Sequence, residues 1–318
     1  MKNIKIISVM SELGAGTRGS SLAFPAMLTA SLKSKSDLFN KYPVEEIENE
    51  NHYLFNYPTN SFAKHIDGII KIYNKLSNKI QSIYANNNFP IVISGDHSSA
   101  GGTIAGIKAS HPNKKLGVVW IDAHADLHSP LTTPSGNMHG MPLAISLNDN
   151  NLQSKINLVE DSVLKKWDIL TGKEKKILPE NLIFFGVRDT EKQEDEMMNR
   201  LNLRNYSIKE IRSKGIQKCV LESLKLLKKC ELIYISFDVD SLDSSISKGT
   251  GTPVPNGFSI SEIKNLLKYF FMSEKICCFE ITEVNPTLDN KGNKVSNSSS
   301  SYLSRFRFIL RYPWWYKY

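Results

Sequence analysis

Apolar residues in this chain gather into short runs, and most of those runs end in small or acidic polar residues. Ile4–Met10, Phe89–Ser94, Leu116–Ile121, Leu182–Val187, Leu232–Phe237 and Ile276–Ile281 are such runs. None shows the apolar/polar alternation of a half-exposed strand, so each suits a strand buried on both faces, as in a parallel sheet. Between them lie segments with a helical period. The clearest is Asp67–Ala85, with Ile69, Ile70, Ile72, Tyr73, Leu76, Ile80, Ile83 and Tyr84 at helical spacing. Leu22–Leu32, Ser99–Ser110, Met141–Leu147, Glu160–Leu170, Cys219–Lys229 and Ile260–Phe271 read the same way, the last opened by Ser259 with Glu262 in its first turn. Lys35–Asn51 shows little strand character, and its Glu45, Glu46 and Glu48 crowd together. Alternating strands and helices predict an α/β protein built on a parallel sheet. With no Pro/Gly/Ser linker before residue 286 and no internal repeat, residues 1–289 read as a single domain. Residues 290–318 read as an atypical tail, with the serine-rich Ser296–Ser301, then Arg305, Arg307, Arg311 and the aromatic Trp314–Tyr316. That tail is either an idiosyncratic terminus or a grip for an acidic partner or membrane surface.

Composition narrows the function classes. The chain has 318 residues, no apolar stretch near the ~20 residues of a membrane span, and a first strand where a secretory signal would lie. Its four cysteines, Cys219, Cys230, Cys277 and Cys278, form no C-x-x-C pair. They suit a cytoplasmic protein with buried thiols. The formal charge is +8, but the lysines are scattered over amphipathic segments, so no nucleic-acid stripe is expected. Gly14-Ala-Gly16-Thr-Arg18-Gly19 follows the first strand and formally matches a dinucleotide fingerprint. The acidic residue that should end a second strand ~20 residues on is not placed convincingly. A tight loop bordering a small-molecule site, with Arg18 exposed, is the better reading.

The chemistry concentrates where the strand runs end. Leu116–Ile121 leads into Asp122, His124 and Asp126 at alternate positions, which point the same way if the chain stays extended. Other runs end in Asp96-His97, Asp238-x-Asp240 and Glu283. Ligands in parallel sheets bind at the carboxyl ends of the strands, where these groups would meet. His97, Asp122, His124, Asp126, Asp238 and Asp240 form a candidate metal shell of two imidazoles and four carboxylates without sulfur. Such a set balances two dications and suits Mn2+ best, with Co2+, Ni2+, Fe2+ or Zn2+ as substitutes. Two metals ~3.5–4 Å apart can hold a bridging hydroxide, which points to hydrolysis.

Six motifs then give a resemblance. Gly95-Asp-His-Ser98, Asp122-Ala-His-Ala-Asp126, Ser135-Gly-Asn-Met-His-Gly140, Ser236-Phe-Asp-Val-Asp-Ser-Leu-Asp243, Gly249-Thr-Gly-Thr-Pro253 and Glu283-Val-Asn-Pro286 occur in the order found in the ureohydrolase (arginase–agmatinase) family, which the chain resembles. The resemblance implies a three-layer α/β/α sandwich around a parallel sheet, two manganese ions, and a homo-oligomer, trimeric or hexameric. It implies that His97 and His124 each serve one metal, that Asp122 and Asp238 bridge, and that Asp126 and Asp240 complete the two sites. Asp126 would also relay a proton from the attacking hydroxide to the leaving amine. His139 resembles the family's general acid or proton shuttle, and Glu283 the carboxylate that pairs with the guanidinium. Thr252 falls near the substrate.

Ser-Gly-Asn-x-His-Gly within this family points to arginase chemistry, the cleavage of L-arginine to urea and L-ornithine. Ser135 and Asn137 would then read the α-carboxylate. Asp189 and Glu194 fit the arginase pattern, whereas His128 stands where Asn is usual and Glu191 where Asp is usual. Those two departures leave open another guanidino or amidino substrate of the family, namely agmatine, guanidinobutyrate or formiminoglutamate. A metallophosphoesterase also uses Asp-x-His strings, but in another order. A catalytically silent member acting as a binding protein would not need the complete ligand set.

Overall fold

Continuous apolar runs do form the buried strands of one sheet. The computed structural model describes residues 3–58 and 60–289. Its elements run β1 (Ile4–Val9), α1 (Ala23–Lys33), α2 (Leu38–Lys41), β2 (Val44–Ile47), α3 (Ile66–Ala85), β3 (Phe89–Ser94), α4 (Ala100–Ser110), β4 (Leu116–Ile121), α5 (Pro142–Leu147), α6 (Asp161–Thr171) and β5 (Leu182–Phe185). They continue with α7 (Lys192–Arg200), β6 (Arg204–Tyr206), α8 (Ile208–Lys214), α9 (Ile216–Leu226), β7 (Leu232–Asp238), α10 (Ile260–Phe270) and β8 (Ile276–Thr282). The eight strands order as β2-β1-β3-β8-β7-β4-β5-β6, and every pairing is parallel. Every residue of β3 and β4 is buried, as expected of strands covered on both faces.

The period of two still operates inside those runs. Val119 and Ile121 of β4 face one apolar cluster, together with α1, α9 and α10, while Val118 and Trp120 face the other, with α3, α4 and α5. The sheet is therefore the middle of three layers, as expected from the pattern. Helix α3 buries Ile69, Ile72, Tyr73, Leu76, Ile80 and Ile83 of the expected stripe and leaves Ile70 and Tyr84 half-buried at its edges. The small residues of α4 let it lie close against α3: a Cβ on Gly101 would sit 2.5 Å from the Tyr73 ring, and one on Gly106 2.7 Å from Ile80.

Three elements depart from the expectations. Lys35–Asn51 contains an edge strand, β2, of only four residues. The opposite edge, β6, has three, of which only Tyr206 is buried. Strands this short carry too few apolar positions to show in the pattern. Helix α7 was not expected at all, because only Glu194 and Met197 of its residues are buried and no apolar stripe exists. Its one local signal is a capping box between Glu191 and Glu194. The tail 290–318 lies outside the described residues.

Helix α7 is fastened at its far end by Arg200, whose two terminal nitrogens each donate at 3.0 Å to the Asp149 carboxylate. Asn151 beside it donates to the Gln193 carbonyl at 2.8 Å. Burial alone would raise the Asp149 pKa, but the guanidinium outweighs it and the net shift is downward. A carboxylate with a lowered folded-state pKa adds stability above its unfolded value of ~3.9, and that gain is lost as pH falls through the folded value. Arg200→Met is therefore expected to lower stability by about 1 kcal/mol at pH 7. Urea unfolding at pH 7 and near pH 3 checks this: the deficit should shrink toward zero in acid, and a pH-independent deficit would assign it to packing alone.

Candidate metal centre

The polar ends of β3, β8, β7 and β4 are neighbours because those four strands are adjacent in the middle of the sheet. Past Ile121 the backbone does not stay extended, contrary to the simple alternation argument. It bends over 122–124 and reaches Asp126 at φ 52°. The bend follows from side-chain capture of backbone donors: His124 N–H donates to Asp122 Oδ1 at 2.8 Å, and Ala123 N–H to Asp240 Oδ1 at 3.2 Å. Asp240 N–H donates in turn to Asp238 Oδ1 at 2.7 Å. Convergence is achieved by folding the loop back on the carboxylates.

All six expected ligands meet there, five of them in two overlapping groups and Asp238 beside His97. His97, Asp122 and Asp126 form one group and Asp122, His124 and Asp240 the other, each with its donor atoms within 4.8 Å of one another. Asp122 is common to both. His97 Nδ1 lies 3.0 Å from Asp122 Oδ2, 3.0 Å from Asp126 Oδ2 and 3.2 Å from Asp238 Oδ2. His124 Nδ1 lies 3.1 Å from Asp240 Oδ2. The donors fit a cation better than they fit each other. His97 Nδ1 and Asp122 Oδ2 are both fully buried and have no hydrogen-bond partner. A buried polar atom without a partner costs free energy that a metal would remove.

The electrostatics agree. Burial and the charges of Asp240 and Asp122 push the Asp238 carboxyl well up. Burial and Asp122 raise Asp126 to about 6. Burial alone would depress the pKa of His97, yet the surrounding carboxylates outweigh it and raise it. The cluster is thus a sink for positive charge, with oxygen and imidazole donors suited to a hard or borderline divalent ion.

Several supporting residues were not singled out by sequence reasoning. Ser236 Oγ lies 2.7 Å from His97 Nε2, which leaves Nδ1 toward the carboxylates. Trp120 stacks on the same ring, with centroids 3.9 Å apart and planes 5° apart. Ser236 sits inside one of the six motifs, whereas Trp120 gave no signal beyond its apolar run. Asp96 accepts from Gly14 N–H at 3.0 Å, and the Gly14 carbonyl accepts from His139 N–H at 3.1 Å. The glycine loop therefore braces the site, and Arg18 is exposed, as expected. Glu280 lies wholly buried in β8 and accepts from the hydroxyls of Ser94, Thr103 and Tyr234 at 2.7, 2.6 and 2.8 Å. It ties β3, α4 and β7 together beneath the site.

A cavity of about 400 Å³ opens above the donors and is lined by every expected site residue. Glu283 adopts φ 62°, and its Oε1 accepts from His97 N–H at 3.0 Å and contacts His139 Nδ1 at 3.1 Å. Burial would lower the His139 pKa, but the Glu283 carboxylate outweighs it and holds it at about 9. Thr252 donates to Asp240 Oδ2 at 3.1 Å. At the far side, His128 Nε2 lies 3.0 Å from Glu191 Oε2, and His128 Nδ1 lies 3.2 Å from Thr132 Oγ1. The His128 contact lowers the Glu191 pKa to about 2. Glu194 is buried, accepts from Leu127 N–H at 3.0 Å, and is pushed up by burial and by Glu191. Asp189 is largely exposed, 3.6 Å from His124 Nε2.

A parallel three-layer fold with this oxygen and imidazole donor set at its strand ends suits a metal-dependent hydrolase. The comparisons fix the family. The model of the Arginase family matches residues 2–305, and the chain belongs to that family. It is similar to the arginase of Bacillus subtilis, with 33% identity over 299 residues, covering 94% of this chain and 95% of that protein. The crystal structure of arginase from Bacillus subtilis superposes with a TM-score of 0.77 at 31% identity, covering 98% of this chain and 97% of that one. Formimidoylglutamase from the same species shares the fold, with a TM-score of 0.70 at 20% identity over 98% of this chain and 88% of that one.

Second-sphere hydrogen bonds to ligating histidines typically support metal affinity by 10–100-fold. Ser236→Ala is therefore expected to weaken divalent-metal binding by about that factor while the fold stays intact by circular dichroism. Calorimetric titration with Mn2+ measures it, and an unchanged dissociation constant would show that Trp120 stacking alone orients the ring.

Proposed function

We propose that this chain cleaves L-arginine to urea and L-ornithine, with two Mn2+ ions held by His97, Asp122, His124, Asp126, Asp238 and Asp240. The observation that carries the reading is the pair of overlapping donor groups sharing Asp122, set beneath a cavity whose rim holds Ser135 and Asn137. Divalent ions bound there would supply charge that acidifies a water to a nucleophile near neutral pH.

The chain's own residues account for the remaining steps. Glu283 pairs with the planar guanidinium, a geometry that two carboxylate oxygens satisfy well. That contact sets the guanidinium carbon over the donor cluster. Asp126 takes the proton given up as the new C–O bond forms and returns it toward the departing nitrogen. The C–N bond to the ornithine side breaks, and the departing nitrogen takes a proton. His139, whose protonated form the Glu283 carboxylate favours, holds that proton at Nε2 while Nδ1 stays on Glu283. Ser135 and Asn137 receive the α-carboxylate, and Asp189, Glu191 and Glu194 lie toward the ammonium.

One observation favours a second reading. Glu191 is already engaged by His128 at 3.0 Å, so its charge is partly spent before an ammonium arrives. A guanidino acid without the α-amino group, such as guanidinobutyrate, would not need it. Urea release by the Mn2+-loaded protein from L-arginine, guanidinobutyrate and agmatine at equal concentration separates these readings. A preference for L-arginine of tenfold or more is the expected result, and preference for either analogue would refute it. Asp122→Ala should lose bound metal and activity together, by elemental analysis and urea assay. Glu283→Gln should keep the metal and lose about 100-fold or more in kcat/KM, the scale of one preorganised electrostatic contact. Unchanged efficiency would remove Glu283 from guanidinium binding.

A further inference from the structure

Behind the rim of the active-site cavity lies a second cavity of about 540 Å³, and Asn137 lines both. Its other lining residues include Arg18, Lys64 and His65 but no carboxylate. Among the described residues Lys64 forms no ion pair. Its ammonium donates at 3.2 Å to Asn137 Oδ1.

Local backbone structure fixes this contact. Lys64 N–H donates to the Gly136 carbonyl at 2.9 Å, so the segment before α3 is hydrogen-bonded to the loop that carries Ser135 and Asn137. Gly136 has φ 73°, and a Cβ there would fall 1.8 Å from the Ser61 carbonyl oxygen. Only glycine permits so close an approach in that conformation. On the other side of Asn137, a Cβ on Gly16 would meet Asn137 Nδ2 at 2.7 Å. The Asn137 carboxamide is thus held between Lys64 and the glycine loop.

A lysine ammonium has donors and no acceptor, so it selects the carboxamide oxygen. The other end of Asn137, an N–H2 group beside Gly16, is then the end left to donate, and Asn137 lines the active-site cavity as well. An N–H2 group offers hydrogen bonds to an anion and none to a cation. The unneutralised charge behind it acts in the same direction.

From this we infer that Lys64 is a specificity-determining positioning residue: it fixes the Asn137 amide with Nδ2 as the donor, and so selects substrates that carry a carboxylate over decarboxylated analogues. The inference rests on the reading of the site as one for a guanidino compound and names which kind it takes.

The test compares L-arginine with agmatine on the Mn2+-loaded wild type, Lys64→Met and Lys64→Arg. In Lys64→Met the KM for L-arginine should rise tenfold or more with kcat within about threefold, and agmatine kinetics should not worsen. Lys64→Arg, which keeps a donor-only cation, should restore most of the discrimination. Equal losses on both substrates in Lys64→Met, or no change on either, would overturn the inference. Calorimetric binding of L-ornithine against putrescine gives the same comparison without turnover. The wild type should prefer ornithine, and Lys64→Met should lose that preference. A wild type that binds the two equally overturns the role of Lys64 whatever its activity. A wild type that prefers ornithine but hydrolyses neither guanidino compound overturns the proposed reaction and leaves Lys64 in place.

Discussion

Four aspartates and two histidines share the floor of one cavity, and five of the six are buried. Like-charged carboxylates brought this close out of water repel one another, and each loses its hydration. The rest of the site is arranged around that constraint. Backbone N–H groups of Ala123, His124 and Asp240 each donate to one of the aspartates. They absorb part of the negative charge and also fix the bend after β4. What they do not reach is the inner face, where His97 Nδ1 and Asp122 Oδ2 face each other at 3.0 Å with no well-formed hydrogen bond among the described residues. Peptide donors and histidines satisfy the periphery, and a divalent ion is the group whose charge and lack of directionality suit the centre. Metal binding in such a cluster is part of the folding energy of the strand ends, as well as a catalytic device.

The topology explains why the burden is tolerable. Strands β3, β8, β7 and β4 sit at the centre of the sheet, covered on both faces. Their ends cannot relax apart without breaking the β3–β8, β8–β7 and β7–β4 ladders. Glu280 adds a second fastening under the cluster, since its carboxylate collects hydroxyls from three elements. A buried carboxylate with three good donors is satisfied, and removing any one donor would leave charge exposed to apolar surroundings. Rigidity at the strand ends and concentration of charge there are two sides of one arrangement.

How far the sequence revealed this depended on the length of each signal. Six apolar runs were long enough to be recognised as buried strands, and α3 had enough turns to show its stripe. The edge strands β2 and β6, at four and three residues, fell below what periodicity can show. Helix α7 is polar almost throughout, and its one local signal, a capping box, did not mark it as a helix. Within the site, all six candidate ligands come together, because each follows directly on a recognisable strand. The geometry that brings them together was not legible. The loop at 122–126 folds by hydrogen bonds to Asp240, which lies more than a hundred residues away, and no local pattern encodes that. Trp120 and Ser236 were hidden for a similar reason: their role is to hold His97, a relation across three strands.

The amino-acid end of the cavity shows how a local departure can spread. His128 and Glu191 make a contact with each other, and Glu191 also caps α7 and shares its first turn with Glu194. Glu194 in turn accepts from Leu127 N–H, one residue past Asp126. A group that pulls Glu191 away from His128 therefore acts on a helix start and, through Glu194, on the backbone beside a candidate metal ligand. An aspartate at position 191, one methylene shorter, would not span the same distance to His128. The two unusual residues are thus best understood as one unit. The longer acid is needed because the ring is there, and the ring has a partner because the acid is longer. Such a pair keeps a negative charge on this part of the cavity lining while the ring neutralises part of it. Asn137, with the Lys64 ammonium on its carboxamide oxygen, lines the same cavity, so its polar groups differ in charge from one part of the lining to another.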